Sequence, residues 1–121
     1  MIVKVDHIHF YSGDLDKMAA YFRDVFGATE TFRDERSLRL DVKGSPLLIM
    51  ALDPKTEQFE TGKNRRGLDH IGFLVQDIES TLEEMKRKGV RVSTELKVMP
   101  GRKIAFVDGP EGIRIELIER E

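Results

Sequence analysis

The sequence predicts an α+β protein made of two βαβββ modules, and two observations carry this prediction. A similar six-residue phrase occurs twice, as VDHIHF at residues 5–10 and as LDHIGF at 68–73. Each copy precedes a segment with the apolar spacing of a helix and then three segments with strand-like alternation. The offset of 63 residues holds from the histidines to the expected helix caps, Asp14 and Asp77. A repeated opening of this kind indicates an internal duplication.

The first module covers residues 1–52. Its opening residues, 2–10, alternate well enough for a strand, and a helix is expected from the cap at Asp14 to the stop at Gly27. The helix is predicted by apolar residues that share one stripe, namely Leu15, Met18, Ala19, Phe22, Val25 and Phe26. Three further strands are expected at 28–33, 36–43 and 46–52.

A polar stretch at 53–66 is expected to link the modules, and the second module covers residues 67–121. It repeats the plan with a strand at 67–75 and a helix from Ile78 to Lys88. Its remaining strands are expected at 90–97, 102–108 and 112–119, with the tight turn DGPEG at residues 108–112 before the last strand.

Length and composition narrow the class of protein. At 121 residues the chain has the size of one ordinary domain, so residues 1–121 are expected to form a single domain whose modules share a sheet. Its 20 basic and 22 acidic residues are mixed along the chain, which argues against nucleic acid as a partner. No apolar run approaches a membrane span and no signal peptide precedes the first strand, so we expect a cytoplasmic protein with no membrane partner. With no cysteine, any metal must be held by histidine and carboxylate.

Three side chains that can bind a metal are predicted to share one sheet face. Side chains alternate along a strand, so His7 and His70 project away from the apolar neighbours that face the helices. In the last strand the residues at 113, 115 and 117 are apolar, which places Glu116 on the opposite, open face. His7, His70 and Glu116 therefore all look toward a concave face. A lone strand histidine is more often structural than a ligand, but three matched positions weaken that explanation.

The chain resembles the vicinal oxygen chelate superfamily, which includes glyoxalase I, methylmalonyl-CoA epimerase, extradiol dioxygenases, fosfomycin-resistance enzymes and bleomycin-resistance proteins. The resemblance covers nearly the whole chain and rests on three groups of residues. The first group lies in the first module and comprises VDHI at 5–8, DLDK at 14–17 and YFRDVFGA at 21–28. The other two lie in the second module: LDHIGF at 68–73 with DI at 77–78, and DGPEG at 108–112 with IEL at 115–117.

This resemblance implies a divalent metal in a cup, held by a histidine on the first strand of each module and a carboxylate or amide on the last. Carried over, the ligands are His7, His70 and Glu116. The fourth family position falls on Met50 or possibly Leu48, and neither side chain binds hard metal ions. Four-ligand activities such as that of glyoxalase I are thereby put in doubt. Two histidines and one carboxylate form a facial triad for Fe(II), Mn(II), Zn(II), Ni(II) or Co(II).

Two further residues are candidates for catalysis. His9 lies two positions from His7 on the same face and is the best available proton shuttle, although a partly exposed histidine with no role is an equal alternative. Asp41, with Arg39, faces the concave side of the third strand, and Arg114 shares the face of Glu116. For each of these three a solvated surface charge is the favoured explanation when it is taken singly.

The resemblance implies a metal-dependent enzyme that acts on a small oxygen-chelating substrate by lyase, isomerase or dioxygenase chemistry. Ring cleavage is less favoured, because the second module offers no further histidine or tyrosine near the expected ligands. The alternative is a metal-free binding protein like those of bleomycin resistance. The resemblance also implies a homodimer, since most family members of this size are dimers.

Overall fold

A computed structural model describes residues 1, 3, 5–57 and 68–121 of the chain. It divides into two compact units, Met1–Glu57 and Gln58–Glu121, each of which repeats the βαβββ order. The α+β class with two modules is thus confirmed, and most of the expected linker, 58–66, lies outside the described residues. Within the described residues, no helix has the length and apolar character needed to span a membrane.

The first unit consists of one helix and a four-stranded sheet. Its elements are β1 (Ile8–Ser12), α1 (Leu15–Phe26), β2 (Thr29–Arg33), β3 (Ser37–Val42) and β4 (Ser45–Ala51). The strand order is β1-β4-β3-β2, with β1 parallel to β4 and the other pairs antiparallel.

The second unit repeats this topology. Its elements are β5 (Ile71–Leu74), α2 (Ile78–Arg87), β6 (Val92–Met99), β7 (Arg102–Asp108), a 3-10 turn (Pro110–Gly112) and β8 (Arg114–Arg120). The strand order is β5-β8-β7-β6, again with one parallel pair, β5 with β8. The described strands thus form two sheets of four, where the sequence suggested a shared sheet, because each module pairs its first strand with its own last strand.

The helix ends follow the sequence signals closely. Asp14 accepts a hydrogen bond from the Lys17 amide at 3.0 Å, and Asp77 accepts one from the Ser80 amide at 3.1 Å. Both carboxylates therefore satisfy first-turn amides that have no partner within the helix. Gly27 ends α1 with a φ of 67°, a left-handed conformation that glycine adopts without a steric penalty.

Each helix covers one face of its own sheet and leaves the other face open. In the first unit Met18 and Phe22 of α1 are fully buried together with Leu38 of β3 and Ile49 of β4. The core of the second unit is equivalent, with the buried residues Ile78, Leu82, Met85, Ala105, Val107, Ile115 and Leu117. Since neighbouring positions alternate, the residues between these core positions project onto the open face of each sheet.

Candidate metal centre

In the second unit the structure brings His70 and Glu116 together. His70 directly precedes β5, and Glu116 lies on β8 with Gly72 as its Cα partner. The Nε2 atom of His70 is 3.2 Å from Oε2 of Glu116. The side chains retain 32% and 19% of their exposure, so the pair is partly desolvated yet accessible from the open face.

The other ring nitrogen of His70 is held by its neighbour in the chain. Nδ1 lies 2.8 Å from Oδ2 of Asp69, and the same carboxylate oxygen accepts a hydrogen bond from Nη1 of Arg114. The hydrogen bond from His70, followed by that from Arg114, lowers the pKa of Asp69, while desolvation acts in the opposite direction. Asp69 is therefore ionised at neutral pH, and an ionised carboxylate only accepts hydrogen bonds. The proton of this bond must then reside on Nδ1.

With its hydrogen on Nδ1, His70 faces Glu116 with an acceptor atom and not with a donor. With the hydrogen on Nδ1, a neutral imidazole presents a lone pair at Nε2, and the nearest group to it is a carboxylate oxygen. Two acceptors at this distance repel each other unless a proton or a metal ion lies between them. Two ligands about 2.1 Å from one ion are separated by about 3.0 Å at a right angle and about 3.4 Å at a tetrahedral angle. The observed 3.2 Å lies between these values.

The first unit repeats the aspartate–histidine contact. Nδ1 of His7 lies 2.9 Å from Oδ2 of Asp6, in the residues directly before β1. Here the pair is more exposed, with 40% for the side chain of His7 and 89% for that of Asp6. Because an aspartate carboxylate is ordinarily ionised at neutral pH and then only accepts hydrogen bonds, this contact favours the tautomer of His7 with hydrogen on Nδ1 and a lone pair on Nε2. Contacts of this type orient metal-binding histidines in many proteins.

Strand register identifies the first-unit position that is equivalent to Glu116. Leu48 is the Cα partner of His9, as Glu116 is the partner of Gly72, and His9 and Gly72 are matched in the repeat. The preferred assignment to Met50 was therefore wrong, since register selects the alternative, Leu48. Met50 lies one pleat further along, where its sulfur accepts a hydrogen bond from the Ser37 hydroxyl at 3.3 Å.

Comparison with known proteins identifies the family. The family model described as the Glyoxalase/Bleomycin resistance protein/Dioxygenase superfamily matches residues 4–117. The chain belongs to this superfamily. The resemblance stated from the sequence, to the vicinal oxygen chelate proteins, is thereby confirmed.

Individual members of the superfamily show both similarity and distance. The chain is 31% identical over 124 residues to a probable lactoylglutathione lyase from Synechocystis sp., with 93% of this chain and 92% of that protein covered. It is 26% identical over 125 residues to a probable chloroplastic lactoylglutathione lyase from Arabidopsis thaliana, covering 94% of this chain but only 35% of that longer protein. A crystal structure of a mutant of the fosfomycin resistance protein FosX from Listeria monocytogenes, complexed with Mn(II) and 1S,2S-dihydroxypropylphosphonic acid, superimposes with a TM-score of 0.76 at 23% identity, covering 97% and 90% of the two chains.

The two candidates for catalysis lie on the open face of the first sheet. His9 is exposed, and its ring centroid is 4.7 Å from that of Tyr11. Asp41 uses one carboxylate oxygen to accept a hydrogen bond from the Gly44 amide at 2.9 Å, within the tight turn that joins β3 to β4. One carboxylate oxygen of Asp41 is thus engaged in holding the turn, which makes His9 the stronger candidate.

Sequence reasoning did not assign roles to Asp6, Asp69 and Phe106. The signal for the two aspartates was present, since each histidine of the repeat directly follows an aspartate. The ring of Phe106 lies 5.2 Å from that of His70 in an edge-on arrangement, and the guanidinium of Arg114 lies 3.9 Å from the Phe106 centroid. Among the described residues, no three histidine, aspartate or glutamate side chains are grouped as a metal site, and His7 is described within its own unit only.

Proposed function

We propose that this protein is an enzyme that depends on a divalent metal, and that His7, His70 and Glu116 hold the ion. The observation that carries the proposal is the 3.2 Å approach of His70 Nε2 to Glu116 Oε2, with the opposite ring nitrogen bound to Asp69. The repeated contact of His7 with Asp6 supports the inclusion of the first-unit histidine. Two imidazoles and one carboxylate suit Fe(II), Mn(II), Zn(II), Ni(II) or Co(II), and they leave coordination positions for a substrate.

The relatives support this reading of the site. The similar protein from Synechocystis sp. is named as a probable lyase, and the FosX structure with the same fold was obtained with Mn(II). We propose a small substrate with two adjacent oxygen atoms and a reaction of lyase, isomerase or dioxygenase type. Bound at this site, the ion would supply Lewis-acid stabilisation of negative charge on a substrate oxygen.

The residues of the chain would divide the remaining work. Leu48 takes the position equivalent to Glu116 but offers no ligand atom, so it leaves coordination space for substrate oxygens. His9 would move a proton at the substrate, because its imidazole is exposed on the open face and lies about 6–7 Å along the strand from His7. Asp41 is the second candidate for that role.

Elemental analysis of purified variants tests the metal site. His7→Ala, His70→Ala and Glu116→Ala should each lose most of the metal that the wild-type protein retains, since each removes one of three ligands. His9→Ala is the matched control, because it removes the remaining histidine of the chain and should keep the metal. Retention at the wild-type level in all three ligand variants would refute the site.

The same measurement addresses the alternative function. Wild-type protein is purified with added Mn(II), Fe(II), Zn(II), Ni(II) or Co(II). If it then contains far less than one equivalent of each metal per chain, the enzyme proposal fails. A metal-free protein that sequesters a small molecule on the open faces of its sheets would then be the better description.

We further propose that the protein assembles as a homodimer, as the superfamily resemblance implies. Sedimentation equilibrium on the purified protein should give twice the mass of one chain. A mass of one chain across the micromolar range would contradict this.

A further inference from the structure

We propose that Asp69, Arg114 and Phe106 form a brace that fixes His70 in the tautomer with hydrogen on Nδ1, before any ion is bound. The three residues are positioning residues, since they act through His70. The role of this brace rests on the proposed function of His70 as a metal ligand. The brace itself is a property of the metal-free protein.

The contact between Asp69 and His70 does not follow from strand geometry. In a regular strand, adjacent side chains point to opposite faces, so Asp69 would face away from the ring of His70. Both residues lie just before β5 begins at Ile71, outside the paired part of the strand. The carboxylate nevertheless reaches Nδ1 at 2.8 Å and still keeps 48% of its exposure. An exposed contact of this kind is weak unless a further group holds the carboxylate in place.

Arg114 is that further group. It lies on β8, two positions before Glu116 and on the same face, and its Nη1 donates to the Asp69 oxygen that also accepts from His70. A guanidinium so close to Glu116 would otherwise compete for the carboxylate and repel a divalent cation. Binding to Asp69 neutralises this charge and directs it away from Glu116, which remains available to Nε2 of His70.

Phe106 sets the position of both partners. Phe106 is a buried residue, with 9% of its surface exposed, and it is the Cα partner of Glu116 across β7 and β8. One face of the ring carries the guanidinium of Arg114 at 3.9 Å, and the ring of His70 meets it edge-on at 5.2 Å. A buried aromatic ring with a stacked guanidinium provides a rigid support, because the planar ion binds the ring without losing its hydrogen bonds.

Among the described residues of the first unit, the positions equivalent to Arg114 and Phe106 carry different side chains. By register, Pro46 occupies the position of Arg114 and Arg39 occupies that of Phe106, so the stacked pair cannot form there. Asp6 contacts His7 at a similar distance but with 89% of its side chain exposed. We therefore assign the brace of a stacked guanidinium and aromatic ring to His70.

Long-range ¹H–¹⁵N correlation spectra of the imidazoles, recorded on metal-free protein, test the brace directly. The spectra are recorded at a pH at which they show all three rings to be neutral. Under these conditions wild-type His70 should display the tautomer with hydrogen on Nδ1. Asp69→Ala should convert it to a mixture of tautomers, and Arg114→Met should do so in part, since Met keeps an apolar stem on Phe106 but removes the charge. Asp6→Ala is the matched control and should change His7 while leaving His70 as it was.

The outcomes separate the brace from the metal proposal. Wild-type His70 with hydrogen on Nε2, or an unchanged His70 in both Asp69→Ala and Arg114→Met, would overturn the brace whatever the metal content. Both substitutions lie on partly exposed side chains, so the variants are expected to fold, and circular dichroism on each variant checks this. If metal binds as proposed, Asp69→Ala should also weaken Mn(II) binding by about 10–100-fold, as is typical when the partner of a metal-bound histidine is lost.

Discussion

Leu48 occupies in the first unit the position that Glu116 occupies in the second. Each is the Cα partner of the residue two places after the repeated histidine, His9 for Leu48 and Gly72 for Glu116. The duplication has therefore kept the backbone register while the two positions differ in chemistry. Leu48 has no side-chain oxygen or nitrogen, so it cannot bind a metal ion as the carboxylate of Glu116 can.

Restoring a carboxylate at this position should tighten metal binding. Leu48→Glu places a fourth ligand at the equivalent site, and we expect the affinity for Mn(II) to rise by about tenfold or more, since ligand charge and number tune the binding of hard ions. Titration followed by electron paramagnetic resonance measures it. Met50→Glu is the control, because Met50 is equivalent to Ile118 rather than to Glu116 and should give no such gain. A larger gain from Met50→Glu would show that the register argument fails for the site.

Bound metal should stabilise the folded protein by mass action. At a Mn(II) concentration of about 100 times Kd, the free energy of unfolding should rise by about 2.7 kcal/mol. For a chain of this length, that corresponds to an increase in Tm of about 10 °C. Differential scanning fluorimetry should show this shift for wild type and for His9→Ala but not for His70→Ala. Equal shifts in wild type and His70→Ala would point to ion binding elsewhere.

The elements of the fold were predictable because their signals are local. Asp14 and Asp77 act as caps as expected, and alternation along β8 correctly placed Glu116 between the buried residues Ile115 and Leu117. Register was harder, since Leu48 and Met50 share a face and alternation alone does not choose between them. The choice depends on the pairing of β4 with β1, which are separated by the whole of α1, β2 and β3.

The contacts around the histidines were out of reach for a different reason. Alternation predicts that Asp69 and His70 point apart, yet their side chains meet in the residues just before β5 begins at Ile71. Arg114 reaches the same carboxylate from 45 positions away. Side-chain networks of this kind are set by tertiary packing, so the sequence predicted the candidate ligands and not their partners.

The two caps should contribute equally to stability, because their geometry is nearly the same. Asp14→Ala and Asp77→Ala each leave a first-turn amide without its acceptor, at a cost of about 1 kcal/mol, or about 4 °C in Tm. Glu83→Ala, an exposed substitution within α2, is the control and should change Tm by much less. Thermal unfolding followed by circular dichroism measures all three. A loss from Glu83→Ala as large as that from Asp77→Ala would mean that helix charge, and not the cap, is responsible.

His9 should act on the substrate rather than hold the metal. Its exposed ring shares the open face with Leu48 and contacts Tyr11, and it lies on β1 beyond the Asp6–His7 pair. A glutamine retains similar size and polarity but cannot transfer a proton. Once an activity is found, His9→Gln should therefore keep its metal and its Tm while turnover falls by about 10²–10⁴-fold, the usual contribution of general acid–base catalysis.

The measurement pairs metal content with kcat on the same preparation, and Tyr11→Phe serves as the control for the ring contact, since it keeps the aromatic neighbour of His9. Loss of metal in His9→Gln would identify His9 as a ligand, because replacing a residue that acts only on the substrate should leave the ion bound. An unchanged kcat would remove His9 from the mechanism and direct attention to Asp41. That residue would then have to release the Gly44 amide, or use its second carboxylate oxygen, to carry the proton. In that case Asp41→Asn, which can still accept the hydrogen bond from Gly44, should keep the turn and lose the activity.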